Sequence, residues 1–367
     1  MKIHCDKTEL AERLQGVGNI VASASTPKPI LRDFLLIAEN DEFRVEATDL
    51  DISARVTIER VEIQEEGRVA VDASRLLSLV REVPGNSIGL ESTEDQALQL
   101  KTEGYEFRLL ADDPLEFPEI QRFEIDSALD FPREKFLEML RRVGVAACRD
   151  SSRYQLTGVF FEIEGEKLSM TATDGKRLTH DVLRIDNPQN LAITAIVPNR
   201  AVDSLIKVLG AGDDTVRVAL GETEIQVNFG YGELSAKLIE GTYPDYQAAI
   251  PTERRSKVLA RRQELLSAVR SASLVADRET STIVFRFEND ALVLESQASD
   301  IGESHIQIPS ALEGEPIEIR FNPVFFIDAL RTVNEEQIRL EFCGPERPGT
   351  IRGGVHYRHM LMPLVSG

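Results

Sequence analysis

The sequence predicts an α+β chain built from three copies of one domain, each carrying two helices on antiparallel sheets. Three elements recur with the same spacing of roughly 125 residues. The first is a strand, a short polar turn and a second strand closing on an aspartate. It reads FLLIAENDEFRVEATD at Phe34–Asp49, VFFEIEGEKLSMTATD at Val159–Asp174, and IVFRFENDALVLESQASD at Ile283–Asp300. Phe43, Val45 and Ala47 alternate, as do Leu168, Met170 and Ala172, which is the period of a half-buried strand.

The second element opens a helix after an apolar strand, at Asp72-Ala-Ser-Arg, Pro198-Asn-Arg-Ala and Asn322-Pro-Val-Phe. Ser74, Asn199 and Asn322 stand where a side chain would cap the free amides of the first turn. The third element precedes each strand pair. Thr8–Val21, Pro132–Cys148 and Arg261–Ala276 space their apolar residues four apart, at Leu10/Leu14, Phe136/Leu140 and Leu265/Val269. The repeats close alike at Phe117-Pro118, Tyr243-Pro244 and Met362-Pro363. Domains are therefore expected at 1–127, 128–252 and 253–367.

Hydrophobic residues make up 42% and charged residues 28%, ordinary values for a globular chain, and no run is long and apolar enough to span a bilayer. Cys5, Cys148 and Cys343 lie far apart with no CxxC pair, which speaks against a disulfide framework or zinc site and suits a reducing cytoplasm. The charge is uneven. The six segments read as helices carry a net +8, against −20 for the whole chain. Repeats that place basic helices on one inward face would make a basic bore inside an acidic rim, attracting phosphates without reading bases. With no Trp, base stacking on a single strand is disfavoured.

Catalytic and cofactor motifs are missing. The sequence has no P-loop, GxGxxG, HExxH or GxSxG pattern, and no cofactor is expected. His356 and His359 form an HxxH in the Gly-rich stretch GTIRGGVHYRHM, read as two histidines of a surface loop. Asp49, Asp174 and Asp300 could suggest a metal-dependent nuclease. Recurring once per domain, they are better read as turn-forming residues.

Over its whole length the chain resembles the bacterial sliding clamp, the beta subunit of DNA polymerase III. The resemblance is carried by Arg153-Tyr-Gln-Leu-Thr-Gly158, Ala172-Thr-Asp-Gly-Lys-Arg-Leu178, Tyr243-Pro-Asp-Tyr246 and Met362-Pro363. It implies a non-catalytic processivity factor: three clamp domains forming half of a six-domain, head-to-tail homodimeric ring that encircles duplex DNA. The implied partners are the replicative polymerase's catalytic subunit, a clamp-loader ATPase, and other polymerases and repair proteins. A non-ring interaction scaffold is the alternative reading.

The resemblance also implies three sets of residues. A partner-peptide pocket would be walled by Leu156, Thr173, Gly175, Lys176, Arg177, Leu178, Pro244, Met360, Met362, Pro363 and Leu364, with Arg177 nearby for the peptide's polar groups. DNA would meet Lys28, Arg75, Arg81, Arg142, Tyr154, Arg200, Lys207 and Asn322. The dimer seam would use Phe107 and Leu109 on one side and Leu274 and Val275 on the other. Where relatives often carry Arg and Val, this chain has Ala248 and Ala249; Lys176 stands where His is common; and the tail Leu364-Val-Ser-Gly367 also departs.

Overall fold

The structure is a computed structural model that describes residues 1–120, 122, 128–210, 212–277 and 281–364. Residue 127, the expected end of the first domain, and residues 365–367 of the tail lie outside the described residues. Six α-helices occur among the described residues: α1 (Lys7–Val17), α2 (Ala73–Glu82), α3 (Arg133–Gly144), α4 (Asn199–Val208), α5 (Arg262–Ser273) and α6 (Pro323–Thr332). All three expected hairpins are present. Asp33–Glu39 pairs with Glu42–Thr48, Gly158–Glu164 with Lys167–Thr173, and Ile283–Phe287 with Ala291–Ala298. The first turn holds Asn40 and Asp41 at φ 52° and 60°, the positive values that a tight hairpin demands and that Asn and Asp tolerate.

Long helices were expected, and the observed ones are shorter. α1, α3 and α5 end at Val17, Gly144 and Ser273 rather than at 21, 148 and 276. Of the expected caps, Asn322 accepts from the Val324 amide at 2.9 Å. Ser74 does not cap α2. Asp72, two residues earlier, accepts from the Arg75 amide at 2.9 Å, and its carboxylate also suits the positive helix end. Asn199 is the first residue of α4.

The chain forms two compact units that cut across the three sequence repeats. One comprises Met1–Leu137, Asp186–Gln189 and Arg200–Leu238. It contains a 13-stranded sheet in which Gly232–Lys237, from the middle repeat, pairs antiparallel with Ile52–Ile58 of the first. α1 packs on α2 beside this sheet, burying Leu10 and Leu14 from one helix and Leu76 and Val80 from the other.

The other unit comprises Glu138–Ile185, Asn190–Asn199 and Ile239–Gly367, with a nine-stranded and a four-stranded sheet. In the larger sheet Arg177–Arg184 pairs with Tyr357–Leu361, again joining middle and last repeats. Its aromatic core stacks Phe285 on Phe326 (4.6 Å) and sets Phe321 edge-on to Phe285 (5.6 Å), under α5 and α6. The Gly-rich stretch expected as a surface loop is instead a hairpin, Gly349–Gly353 with Tyr357–Leu361. His356 is exposed in its turn, but His359 is wholly buried in the second strand. Burial, with Arg177 nearby, holds its imidazole down to about 3.

Candidate protein-binding pocket and basic helices

In the second unit the chain folds a short apolar pocket of about 160 Å³. Its wall includes Thr173, Gly175, Arg177, Leu178, Pro244, Met360 and Met362, all expected from the sequence. Asp245, Tyr246, Ala249 and Pro348 complete it. Of these, Asp245 and Tyr246 lay inside a quoted motif, Ala249 was noted only as a departure, and Pro348 carried no signal. The alternation of two paired strands places Leu178 opposite Met360 on one sheet face. Tyr243 and Tyr246 back this face, packing on Phe160 (4.9 Å stacked and 6.3 Å edge-on) in an apolar cluster with Leu178 and Met360.

The turn Asp174–Arg177 shapes one rim. Asp174 Oδ1 accepts from the amides of Lys176 (2.9 Å) and Arg177 (3.0 Å), and Gly175 adopts φ 85°, where a side chain would also strike Arg153. Asp49 makes the equivalent turn, accepting from Asp51 and Ile52. These two aspartates thus serve backbone geometry. Among the described residues, no cluster of three or more His, Cys, Asp or Glu is arranged to hold a metal ion.

The Met362 amide donates to Lys176 O at 2.9 Å, which docks the C-terminal segment against this turn. Met362 remains half exposed, an apolar lip with an adaptable side chain at the pocket's edge. Lys176 and Leu364 are exposed beside it, Pro363 is buried, and Leu156 packs partly buried against the Leu178–Met360 cluster.

Arg177, expected near a peptide's polar groups, is already engaged within the chain. Its Nε donates to Asp174 Oδ2 (3.0 Å), its Nη1 to Asp328 Oδ2 (2.8 Å), and its guanidinium covers the Phe325 ring at 4.6 Å. A buried guanidinium with both carboxylates engaged is a rigid wall, with little left for a ligand.

The basic residues separate into two groups. Arg75 and Arg81 on α2, Arg200 and Lys207 on α4, and Lys28 before a short 3₁₀ turn are exposed. Arg200 also reaches Asp49 Oδ2 at 2.7 Å while staying mostly in solvent. Tyr154 is exposed and Asn322 is half-buried at its cap. Arg142 was expected among the DNA contacts and is not available for one. It is nearly buried, bridges Glu138 (2.9 Å) and Glu335 (3.5 Å), approaches Asp181 (3.8 Å), and lies over the Tyr357 ring at 5.2 Å. Arg262 similarly donates to carbonyls of Leu330 and Glu335, so the helical charge count overstates the charge facing solvent.

Phe107 and Leu109 lie half-buried on Tyr105–Asp112, beside the more exposed Leu110. Tyr105–Leu110 of that strand pairs with Ala97–Thr102, but on its other side, among the described residues, only Ala111 and Asp112 are paired. Its outer edge from Tyr105 to Leu110 is therefore open. Leu274 is exposed at the end of α5 and Val275 is half-buried after it. In the same unit Gly302–Pro309 forms an open edge of the four-stranded sheet.

Three family models describing the DNA polymerase III beta subunit match in order: its N-terminal domain over residues 1–121, its central domain over 130–245 and its C-terminal domain over 247–364. The chain belongs to the beta sliding clamp family. It is 29% identical to the beta sliding clamp of Chlamydia muridarum, over 99% of both chains, and 27% identical to that of Bacillus subtilis, over 96% of both. The fold matches a DNA polymerase sliding clamp from Bacillus subtilis with a TM-score of 0.89. A DNA polymerase III beta subunit from Thermotoga maritima matches at 0.91; each structure is 26% identical and covered in full on both sides. Beta sliding clamps are processivity subunits without a catalytic centre of their own. No described helix is long and apolar enough to cross a membrane.

Proposed function

We propose that two copies of this chain close head to tail into a ring around duplex DNA, slide along it, and hold the replicative polymerase through the Leu178–Met362 pocket. The preformed pocket is the observation that carries this reading. Its apolar wall, with a half-exposed Met362 at its lip, suits a leucine or aromatic anchor from a short peptide. Family membership supports the topology. The open edge at Tyr105–Leu110, with Phe107 and Leu109, would meet a partner's face bearing Leu274 and Val275, two unlike surfaces closing a heterologous contact twice.

Exposed Lys28, Arg75, Arg81, Arg200 and Lys207 would make weak, salt-screened phosphate contacts, with Tyr154 and Asn322 as polar neighbours. Such contacts hold the ring on DNA without fixing its position. The clamp-loader ATPase, other polymerases and repair proteins would share the pocket in the cytoplasm. A tethered polymerase rebinds from high effective concentration after each release.

Leu178→Asp combined with Met362→Asp tests the pocket. A peptide carrying a Leu-Phe anchor is expected to lose at least about a hundredfold in affinity, since burying an unpaired carboxylate beside the anchor costs several kcal/mol. The dimer mass should be unchanged. Undiminished peptide binding would refute the pocket, and a wild-type monomer at micromolar concentration would favour a non-ring scaffold.

A further inference from the structure

The sheet face that bears the pocket continues into a cluster of arginines. Strand register aligns two rows across it. One runs Thr173, Leu178, Met360, Thr350, Glu341, Lys257; the next runs Thr171, His180, Arg358, Arg352, Arg339. Three arginines thus stand side by side on adjacent strands, where like charges oppose folding. Arg254 joins them from the preceding segment.

Compensation is incomplete. Glu341 is buried and accepts from Arg254 (3.1 Å) and Arg352 (3.0 Å) through one oxygen, while its other oxygen is unpartnered. Lys257 pairs with Glu313 at 2.8 Å. Among the described residues Arg358 forms no ion pair, and its buried Nε has no hydrogen-bond partner; Arg339 is exposed. Burial, then Arg352 and Arg254, holds the Arg358 guanidinium below its ordinary value despite Glu341. Burial and Arg358 together hold His180 down to about 4, so it adds no charge at neutral pH. In a chain of net charge −20, five cations gather on this face around Glu341 and Glu313, while Glu162, further along the same face, accepts from the Tyr246 hydroxyl.

We infer that the Arg358–Arg352–Arg339 row is a second recognition site beside the pocket, taking an acidic side chain from the peptide whose apolar anchor the pocket holds. This rests on the pocket reading above. Arg358 and Met360 point to the same side of one strand two residues apart, about 7 Å. An extended peptide covers that distance in two or three residues. Tyr246 links the two sites, lining the pocket while its ring packs 5.5 Å from His180. An incoming carboxylate would set a counter-charge beside the half-buried Arg358 guanidinium and relieve repulsion along the row. Duplex DNA fits less well: the site adjoins an apolar cavity and has Glu341 at its centre.

The test uses the full-length protein and fluorescein-labelled synthetic peptides containing a Leu-Phe anchor. Glutamates are placed two and three residues before or after the anchor, or replaced by Gln; a further control replaces the anchor by Ala. At least one acidic peptide should bind about five- to tenfold more tightly than its Gln counterpart at low salt, with the advantage shrinking as salt rises. Arg358→Gln with Arg339→Gln should abolish that advantage while leaving the Gln peptide's affinity unchanged. Equal binding of acidic and Gln peptides to the wild type, or an advantage surviving in the double variant, overturns the proposal. So does reduced duplex binding in the double variant without an acidic preference, which would assign the face to DNA. If the Ala-anchor peptide binds as well as its parent, the pocket reading itself fails. An anchor-dependent peptide with no acidic preference removes only the second site.

Discussion

Asp33 is almost wholly buried, with one carboxylate oxygen unpartnered, opposite Asp72 on the neighbouring strand. Burial, with Asp112 beside it and Asp72 close by, pushes its carboxyl up to about 7 against the pull of Arg32. The folded chain therefore keeps a proton that the unfolded chain has lost between the usual carboxylate range and about pH 7. The sign follows: stability from this site is full below that window and falls as pH rises through it. Asp33→Asn should stabilise the protein by roughly 1–3 kcal/mol at pH 8 and by less at pH 5. Urea unfolding at the two pH values checks this, and an equal gain at both would contradict it. Single residues were legible in the sequence only where a motif fixed their surroundings. Leu178 and Pro244 fell inside such motifs. Arg142 and Arg177 showed a charge but not all the groups that hold it, because Glu335, Asp328 and the Tyr357 and Phe325 rings come from more than a hundred residues away.

At the scale of elements, local periodicity was the strongest signal. Alternation located all three hairpins, and four-residue spacing located the helices that precede them. Helix ends were read too long because Gly18 and the turn after Gly144 end periodic segments whose apolar pattern continues into tertiary contacts. The hairpin at Gly349–Leu361 was missed, since glycines dominate its first strand and its buried histidine breaks the polar-apolar reading. Core aromatics set the energetics of the last repeat. Phe285 touches Phe287, Phe321 and Phe326 at zero exposure. Phe285→Ala is expected to cost about 3–5 kcal/mol, through lost burial and the cavity left behind. Chemical denaturation would show it as a lower midpoint. A change below 1 kcal/mol would mean that the site collapses around the deletion.

For the molecule as a whole, the threefold repeat was readable because several elements kept one spacing. How repeats join was not. Pairing of Gly232–Lys237 with Ile52–Ile58, and of Arg177–Arg184 with Tyr357–Leu361, continues sheets from one repeat into the next. Such registers depend on edges meeting in space and leave no periodic trace in the chain. They make each join between repeats a hydrogen-bonded sheet within its unit. Closure of the ring around DNA shows itself in retention after loading. Protein loaded onto nicked circular plasmid by a clamp-loader ATPase should stay bound through a high-salt gel-filtration column and be lost once the plasmid is linearised. Equal retention on circular and linear DNA would contradict encirclement.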